Sequence, residues 1–298
     1  MESHYLDPKN DLAFRKIFGT EQNKDILLHF LNDLFNRAKN PIKEVTFLRT
    51  IQLPEVAAQR VSIVDVMCRD SQGHRFIVEM QVAHEKGFEK RAQFYAARAY
   101  VEQRETEQAY HDLKEIIFLA ITDFTLFSEK KAYLSHHVIL DKSTLEHDLK
   151  GFSFSFLELP KFNLPIDALK TMTEKWAYFF KHATEIATYD LPRIIGADLI
   201  LERAYTALDR YSWSPEELRE YNSVEMKRQS DLAVLEQAFD KGREEGREEG
   251  REEGLKEGVA KGQTETQERI ARALLAQGLS PQHIAECTHL TLEAIRAL

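Results

Sequence analysis

Cysteine is nearly absent: Cys68 and Cys287 are the only two in 298 residues, and they lie far apart. They supply neither a disulfide framework nor the paired spacing of a zinc site, which suits a reducing cytoplasm. No run of about 18 apolar residues occurs, so no membrane span is expected. The opening Met1-Glu2-Ser3-His4 has no basic stretch ahead of an apolar one, and no signal peptide is expected. Positive charge is in deficit, with 40 Lys and Arg against 49 Asp and Glu and a net charge of −9. That balance weighs against a broad basic surface for nucleic acid. It leaves room for a divalent cation and a few local Arg or Lys residues to hold one phosphate. The chain also lacks a Gly-x-Ser-x-Gly elbow, a Walker phosphate loop and a His-Glu-x-x-His pair, and with them the chemistries those motifs serve. His136-His137 is no substitute, because neighbouring strand residues point to opposite faces.

What is present is enough for a core. The 43% hydrophobic and 10% aromatic content fits a globular chain of one large domain with an appendage, or of two modest domains. Apolar residues at helical spacing, Phe14, Ile17 and Phe18, then Ile26, Leu27, Phe30, Leu31 and Leu34, predict two short helices with a turn at Gly19-Thr20. An extended segment over 44–55 ends at Pro54. Val61 to Arg69 and Arg75 to Ala83 read as two strands around the turn Asp70-Ser71-Gln72-Gly73. A helix is expected from Phe88 to about Glu107. Glu115 to Thr122 is a continuous apolar run, as in a strand buried on both faces. Weaker strands follow near 133–140 and 152–159. Residues 165–241 look helical, with Trp176, Phe179 and Phe180 as core anchors. Strands interleaved with helices and then a helical tail predict an α/β core with a helical C-terminal extension.

Composition changes at Lys241, where glycine recurs at 242, 246, 250, 254, 258 and 262 between Arg-Glu-Glu triplets. Each glycine inside a helix costs roughly 1 kcal/mol relative to alanine, so the repeat is not there for helix stability. A four-residue period winds slowly around a helix of 3.6 residues per turn and allows another helix to approach closely. A long self-associating helix over 222–262 is the expectation; a flexible linker of balanced charge is the alternative. Residues 263–298 read as three short helices with breaks at Gly278 and Thr288-His289 and N-caps at Ser280 and Thr291. Arg269, Arg272 and Arg296 are spread over different helices there, which favours a packing or protein-contact role over reading DNA.

The hairpin carries the most specific signal. Asp65 and Glu79 each interrupt an apolar strand, where an unpaired carboxylate costs several kcal/mol. With the turn centred on Gln72, Asp65 faces Glu79, and Gln81 projects from the same face as Glu79. Two like charges that close either share a proton or hold a cation, and hard oxygen ligands favour magnesium or manganese over zinc. One alternative is a salt bridge to a buried arginine such as Arg60, Arg69 or Arg91; another is a turn one residue different, which puts Asp65 and Glu79 on opposite faces. In the helix that follows, Arg91, Tyr95 and Arg98 share one face, where they could grip phosphate and stack on a base or sugar. A solvated face with Tyr95 in the core is the other reading.

These residues belong to a wider pattern. Asp65 and Glu79-Met80-Gln81 stand with Asp11-Leu12-Ala13-Phe14-Arg15-Lys16-Ile17-Phe18-Gly19, Phe30-Leu31-Asn32, the Arg91, Tyr95, Arg98-Ala99-Tyr100 helix, Leu157-Glu158-Leu159-Pro160-Lys161-Phe162 and the glycine repeat. Together they resemble the recombination-promoting nuclease / transposase family of the PD-(D/E)XK nuclease superfamily, over nearly the whole chain. The resemblance implies a restriction-endonuclease-like mixed sheet flanked by helices. It implies a nuclease-like domain over 1–221, the long helix over 222–262 and a small helical unit over 263–298. It implies an endonuclease hydrolysing DNA phosphodiester bonds, linked to recombination or mobile elements. Asp65 and Glu79 would bind a divalent cation, Mg2+ first, with Mn2+ or Ca2+ as alternatives, and no small-molecule cofactor is implied. Asp11 would complete the site, although it is equally suited to capping a helix. Where the family pattern has Lys or Gln, Gln81 can orient a water but brings no charge. Arg91, Tyr95 and Arg98 would contact DNA. The alternative is a weak or inactive nuclease fold acting as an oligomeric module that binds nucleic acid or protein, self-associating through 222–298.

Overall fold

A computed structural model describes residues 4–52, 62–103 and 109–298. Pro54, Arg60, Val61 and the helix end expected at 104–107 lie outside the described residues. The chain divides into two compact units, Met1–Arg228 and Gln229–Leu298.

The first unit opens with helices α1 (Asp11–Phe18) and α2 (Lys24–Leu34), the two expected from the apolar spacing. Strands β1 (Val45–Phe47), β4 (Val66–Asp70), β5 (Arg75–Gln81), β6 (Ile116–Thr122), β7 (Leu134–Val138) and β8 (Phe152–Glu158) build one sheet in the order β1-β4-β5-β6-β8-β7. A separate two-stranded sheet pairs β2 (Ile51–Gln52) with β3 (Ser62–Ile63). The large sheet is mixed: β5, β6 and β8 run parallel, while β1 on β4, β4 on β5 and β7 on β8 are antiparallel. Every residue of β6 is buried, as its apolar run requires of a strand covered on both faces.

Strand alternation sorts the two faces. Val66, Cys68, Phe76, Val78 and Met80 turn toward α1, α2 and α4 (Met172–His182), where Phe14, Phe18, Phe30, Trp176 and Phe180 form an aromatic cluster. Each such ring contributes about 1.5–3 kcal/mol by burial. On the opposite face, Met67, Ile77, Phe118 and Ala120 meet α3 (Phe88–Val101). The α3 seam is lined by Ala92, Ala96 and Ala99, spaced to share one helix face, and these small side chains let the helix lie close to the sheet. Gly87 begins α3 at φ 83°, a left-handed conformation that side-chain-bearing residues rarely adopt. The result is a mixed sheet flanked by helices, as expected.

Helices α5 (Leu191–Ile195) and α6 (Leu199–Ala207) complete this unit before α7, which runs over Pro215–Ala276. Ser214 and Glu217 exchange hydrogen bonds with each other's backbone N–H at the start of α7, a capping box. Helix α7 contains the expected 222–262 segment but begins earlier, and it continues through residue 263, where the first of three short helices was expected. The stretch Gln263-Thr264-Glu265 holds no proline or glycine, so nothing in it stops the helix. The break comes at Gly278, φ 79°, followed by α8 (Pro281–Thr288) capped by Ser280 and α9 (Leu292–Arg296) capped by Thr291. Ala271, Ile284 and Ile295 form a small core there. Among the described residues, no helix is long and apolar enough to cross a membrane.

Candidate active site

The β4–β5 turn sets the register. Gly73 N–H donates to the Asp70 carbonyl, and the Asp70 carboxylate accepts from the backbone of Gln72 and His74 at 2.9 Å each. Val66 then pairs with Val78 and Met67 with Ile77, so one further step places Asp65 opposite Glu79. One detail differs from expectation: Asp65 does not sit within a strand. The chain bends at Val64-Asp65, between β3, which pairs with β2, and β4, which pairs with β1 and β5. At the bend the Asp65 side chain takes over part of the ladder, its Oδ2 accepting the Met80 N–H at 2.9 Å.

Glu79 is 6% exposed, and its Oε1 has no hydrogen-bond partner among the described residues. Burial, and next the negative charge of Asp65, hold its carboxyl well above the usual carboxylate range; Arg91 and Arg15 pull the other way. Asp65 Oδ1 accepts from Arg15 Nη2 at 3.1 Å. Thus Asp65 and Glu79 are adjacent; the arginine paired with Asp65 is the half-exposed Arg15, while Arg91 turns to Glu85 and Gln81, and one oxygen of Glu79 stays unmatched.

Asp11 lies at the first position of α1 and is open to solvent. The capping role falls to Asn10, whose Oδ1 accepts the Leu12 N–H at 3.1 Å. Asp11 is free of that duty, and the surrounding protein, then the charge of Asp65, raise its carboxyl. Gln81 Oε1 accepts from Arg91 Nη2 at 2.6 Å, while its Nε2 donates to the Ala83 carbonyl at 3.0 Å. Arg91 also pairs with Glu85 and lies over the rings of Phe88 and Tyr95 at 5.0 and 6.0 Å. Burial raises the Tyr95 phenol; Arg91 opposes the shift and Glu79 adds to it. Arg98, on the same helix face, turns its Nε to Glu102 at 3.6 Å. The structure therefore brings together Asp65, Glu79, Gln81, Arg91 and Tyr95; Asp11 is linked to them only through the charge of Asp65, and Arg98 is engaged elsewhere.

Two cations were not anticipated. Arg15 is one; it follows Asp11 by four residues on the same helix face, a spacing that could have drawn attention to it. Lys9 is the other, its Nζ 2.8 Å from Asp123, whose N–H donates to the Gln81 carbonyl. Nothing in the local sequence signals that contact. The histidines behave as expected of strand neighbours: His136 Nδ1 lies 2.8 Å from Ser155 Oγ, while His137 packs near Phe127.

The carboxylates suit a hard divalent cation. Among the described residues no set of three or more His, Cys, Asp or Glu side chains is gathered to hold a metal. Asp65 and Glu79 offer oxygen ligands, one of them the unmatched Glu79 Oε1. That donor set fits magnesium-like ions, which take one or two carboxylates and complete their shell with water and phosphate.

The chain belongs to the PD-(D/E)XK nuclease family transposases: the model of that family matches residues 8–238. The matched span holds all the residues gathered here. No curated protein and no solved structure matches the chain.

Proposed function

We propose that this chain is a divalent-metal-dependent DNA endonuclease that hydrolyses phosphodiester bonds, acting in the cytoplasm in recombination or mobile-element biology. One observation carries the reading: a buried carboxylate with an unmatched oxygen, Glu79, beside a second carboxylate, Asp65, in a nuclease-family chain. Asp65 and Glu79 would hold the cation, Mg2+ in the first instance, with Mn2+ or Ca2+ as alternatives. Asp11, whose carboxyl feels the charge of Asp65, would add negative charge beside the ion. The bound ion would lower the pKa of a water and offset charge at the scissile phosphate. Arg91 and Tyr95 offer a guanidinium and a ring to the phosphate and the sugar or base; Arg98 joins them if DNA draws it from Glu102.

A plasmid-nicking assay across Mg2+, Mn2+ and Ca2+ tests the reading. Nicking should require a divalent ion and vanish in Asp65→Ala and Glu79→Ala; cleavage that survives both changes removes the site. The engagement of both ends of the Gln81 amide supports a second reading, a weak or inactive nuclease fold that binds without cutting. Salt-dependent DNA binding with no metal-dependent nicking would select it. Self-association through 222–298 is a separate part of the proposal, supported by the glycines at 242–262, where an added Cβ would meet nothing within 4 Å. A mass measurement before and after truncation at residue 235 should show loss of the oligomer.

A further inference from the structure

A lysine at position 81 would carry a positive charge to the reacting phosphate, and Gln81 carries none. The structure brings a different cation to the same place. Gln81 and Glu79 point from β5 to the face covered by α3, and Arg91 comes down from the first turn and a half of that helix. The Gln81 amide is held at both ends, since its Nε2 donates to Ala83 and leaves Oε1 to receive Arg91 Nη2 at 2.6 Å. The guanidinium is fixed again by the rings of Phe88 and Tyr95 and by exposed Glu85 on Nη1. Its Nε is buried with no hydrogen-bond partner among the described residues. A guanidinium has five N–H donors; Gln81 and Glu85 take one on each terminal nitrogen, and the partly exposed side chain keeps a further N–H on each to offer to phosphate oxygens.

We propose that Arg91, held in place by Gln81, supplies at the scissile phosphate the positive charge that a lysine at position 81 would otherwise bring. Arg91 is then the catalytic cation and Gln81 a positioning residue that acts through it. In hydrolysis a water oxygen bonds to phosphorus, the opposite P–O ester bond breaks, and its electron pair leaves on the departing oxygen. That oxygen gains a proton and the water loses one. Charge accumulates on the non-bridging oxygens meanwhile, and Arg91 stabilises it through hydrogen bonds without giving up a proton. The other nearby cations are less suited: Lys9 is paired with Asp123 at 2.8 Å, and Arg15 sits on Asp65 itself.

The inference rests on the nuclease reading, and its test separates the two. Full-length wild type, Arg91→Ala, Gln81→Lys and the double variant are compared in Mg2+-dependent plasmid nicking, with melting temperatures as a folding control. Removing one preorganised donor of this kind lowers the rate about 10²–10³-fold, and Arg91→Ala should fall in that range. Gln81→Lys should restore nicking to the Arg91→Ala protein to within about tenfold of wild type, by the equivalence of charge this proposal assigns. A parallel measurement needs no cleavage: binding of a short labelled duplex in Ca2+ at several salt concentrations. Arg91→Ala should reduce the slope of log affinity against log salt by about one, and Gln81→Lys should restore it. Failure of rescue in a well-folded double variant overturns the proposal, as does an unchanged rate or salt slope in Arg91→Ala. If wild type never nicks, the nuclease reading fails, and the salt slope alone decides whether Arg91 grips phosphate.

Discussion

Two glutamates lie in neighbouring regions of the same sheet, and they are treated in opposite ways. Gln81 on β5, Thr122 on β6 and Glu158 on β8 stand in one register row; Glu79 is two residues before Gln81. Glu158 is fully buried, and every demand of its carboxylate is met. Its Oε1 accepts the N–H groups of Leu126 and Phe127 at 2.6 and 2.9 Å, and its Oε2 meets Lys161 Nζ at 2.6 Å. Lys161 in turn donates to the Phe127 carbonyl at 2.7 Å. The group staples the loop after β6 to the end of β8. Glu79 is almost as buried, yet it has an unmatched oxygen and a negative neighbour. Burial of an acid is therefore no sign of function by itself; the sign is burial that the protein leaves unresolved.

The comparison would break most visibly at Glu158. Glu158→Ala leaves Lys161 buried without its anion, a loss of about 3–5 kcal/mol. For a unit of this size each kcal/mol moves the melting temperature by about 2–4 °C, so a fall on the order of 10 °C is expected in a thermal melt. A shift under about 2 °C would show that the staple does not hold the loop.

Glu79→Gln should do the reverse. Nicking should fall about 10²–10³-fold, the range for loss of a group that stabilises transition-state charge. Stability should improve at neutral pH in EDTA. The sign follows from the raised carboxyl: the folded form keeps a proton that the unfolded chain, near its ordinary value of 4.5, has already released. Between those two pKa values the native state binds more protons, so stability falls as pH rises. The variant lacks this titration, and its melting temperature should decline less from pH 5 to pH 8. An equal decline in both proteins would show that Glu79 is not the buried acid responsible.

The smallest effect is expected at Arg15, whose side chain is half exposed against Asp65. An ion pair open to solvent contributes at most about 1 kcal/mol, so Arg15→Gln should barely move the melting curve. It removes a cation that competes for Asp65, and Ca2+ or Mn2+ should bind a few-fold tighter by calorimetry. Unchanged or weaker binding would remove Arg15 from the site's charge balance.

Much of the fold and part of the site were legible beforehand. The turn chemistry of Asp70 and Gly73 acts over a few residues, so the hairpin could be derived from it; the strand pairing then chose the register opposing Asp65 to Glu79 over one shifted by a residue. The aromatic anchors Trp176, Phe179 and Phe180 are buried as their spacing implied. The break at Asp65 was not legible, because a single Asp between two β-branched valines is a weak turn signal; it depends on β3 leaving for another partner strand. Asn10 and Asp11 are adjacent and both able to cap, so only backbone geometry could assign the cap to Asn10. Nor did the Leu157–Phe162 segment, read as part of a family pattern, disclose that Glu158 and Lys161 pin a loop more than 30 residues earlier in the chain.

The sequence by itself determined the hairpin, Asp65 and Glu79 as its two acids, and the family, because alternation, turn chemistry and motif spacing are local properties of the chain. Only the tertiary structure decided which charges meet that pair. Arg15 reaches Asp65 from a helix 50 residues away, and Arg91 reaches Gln81 from the helix on the other face of the sheet. Their approach depends on how two helical layers pack against the same strands, and no short stretch of sequence encodes that geometry.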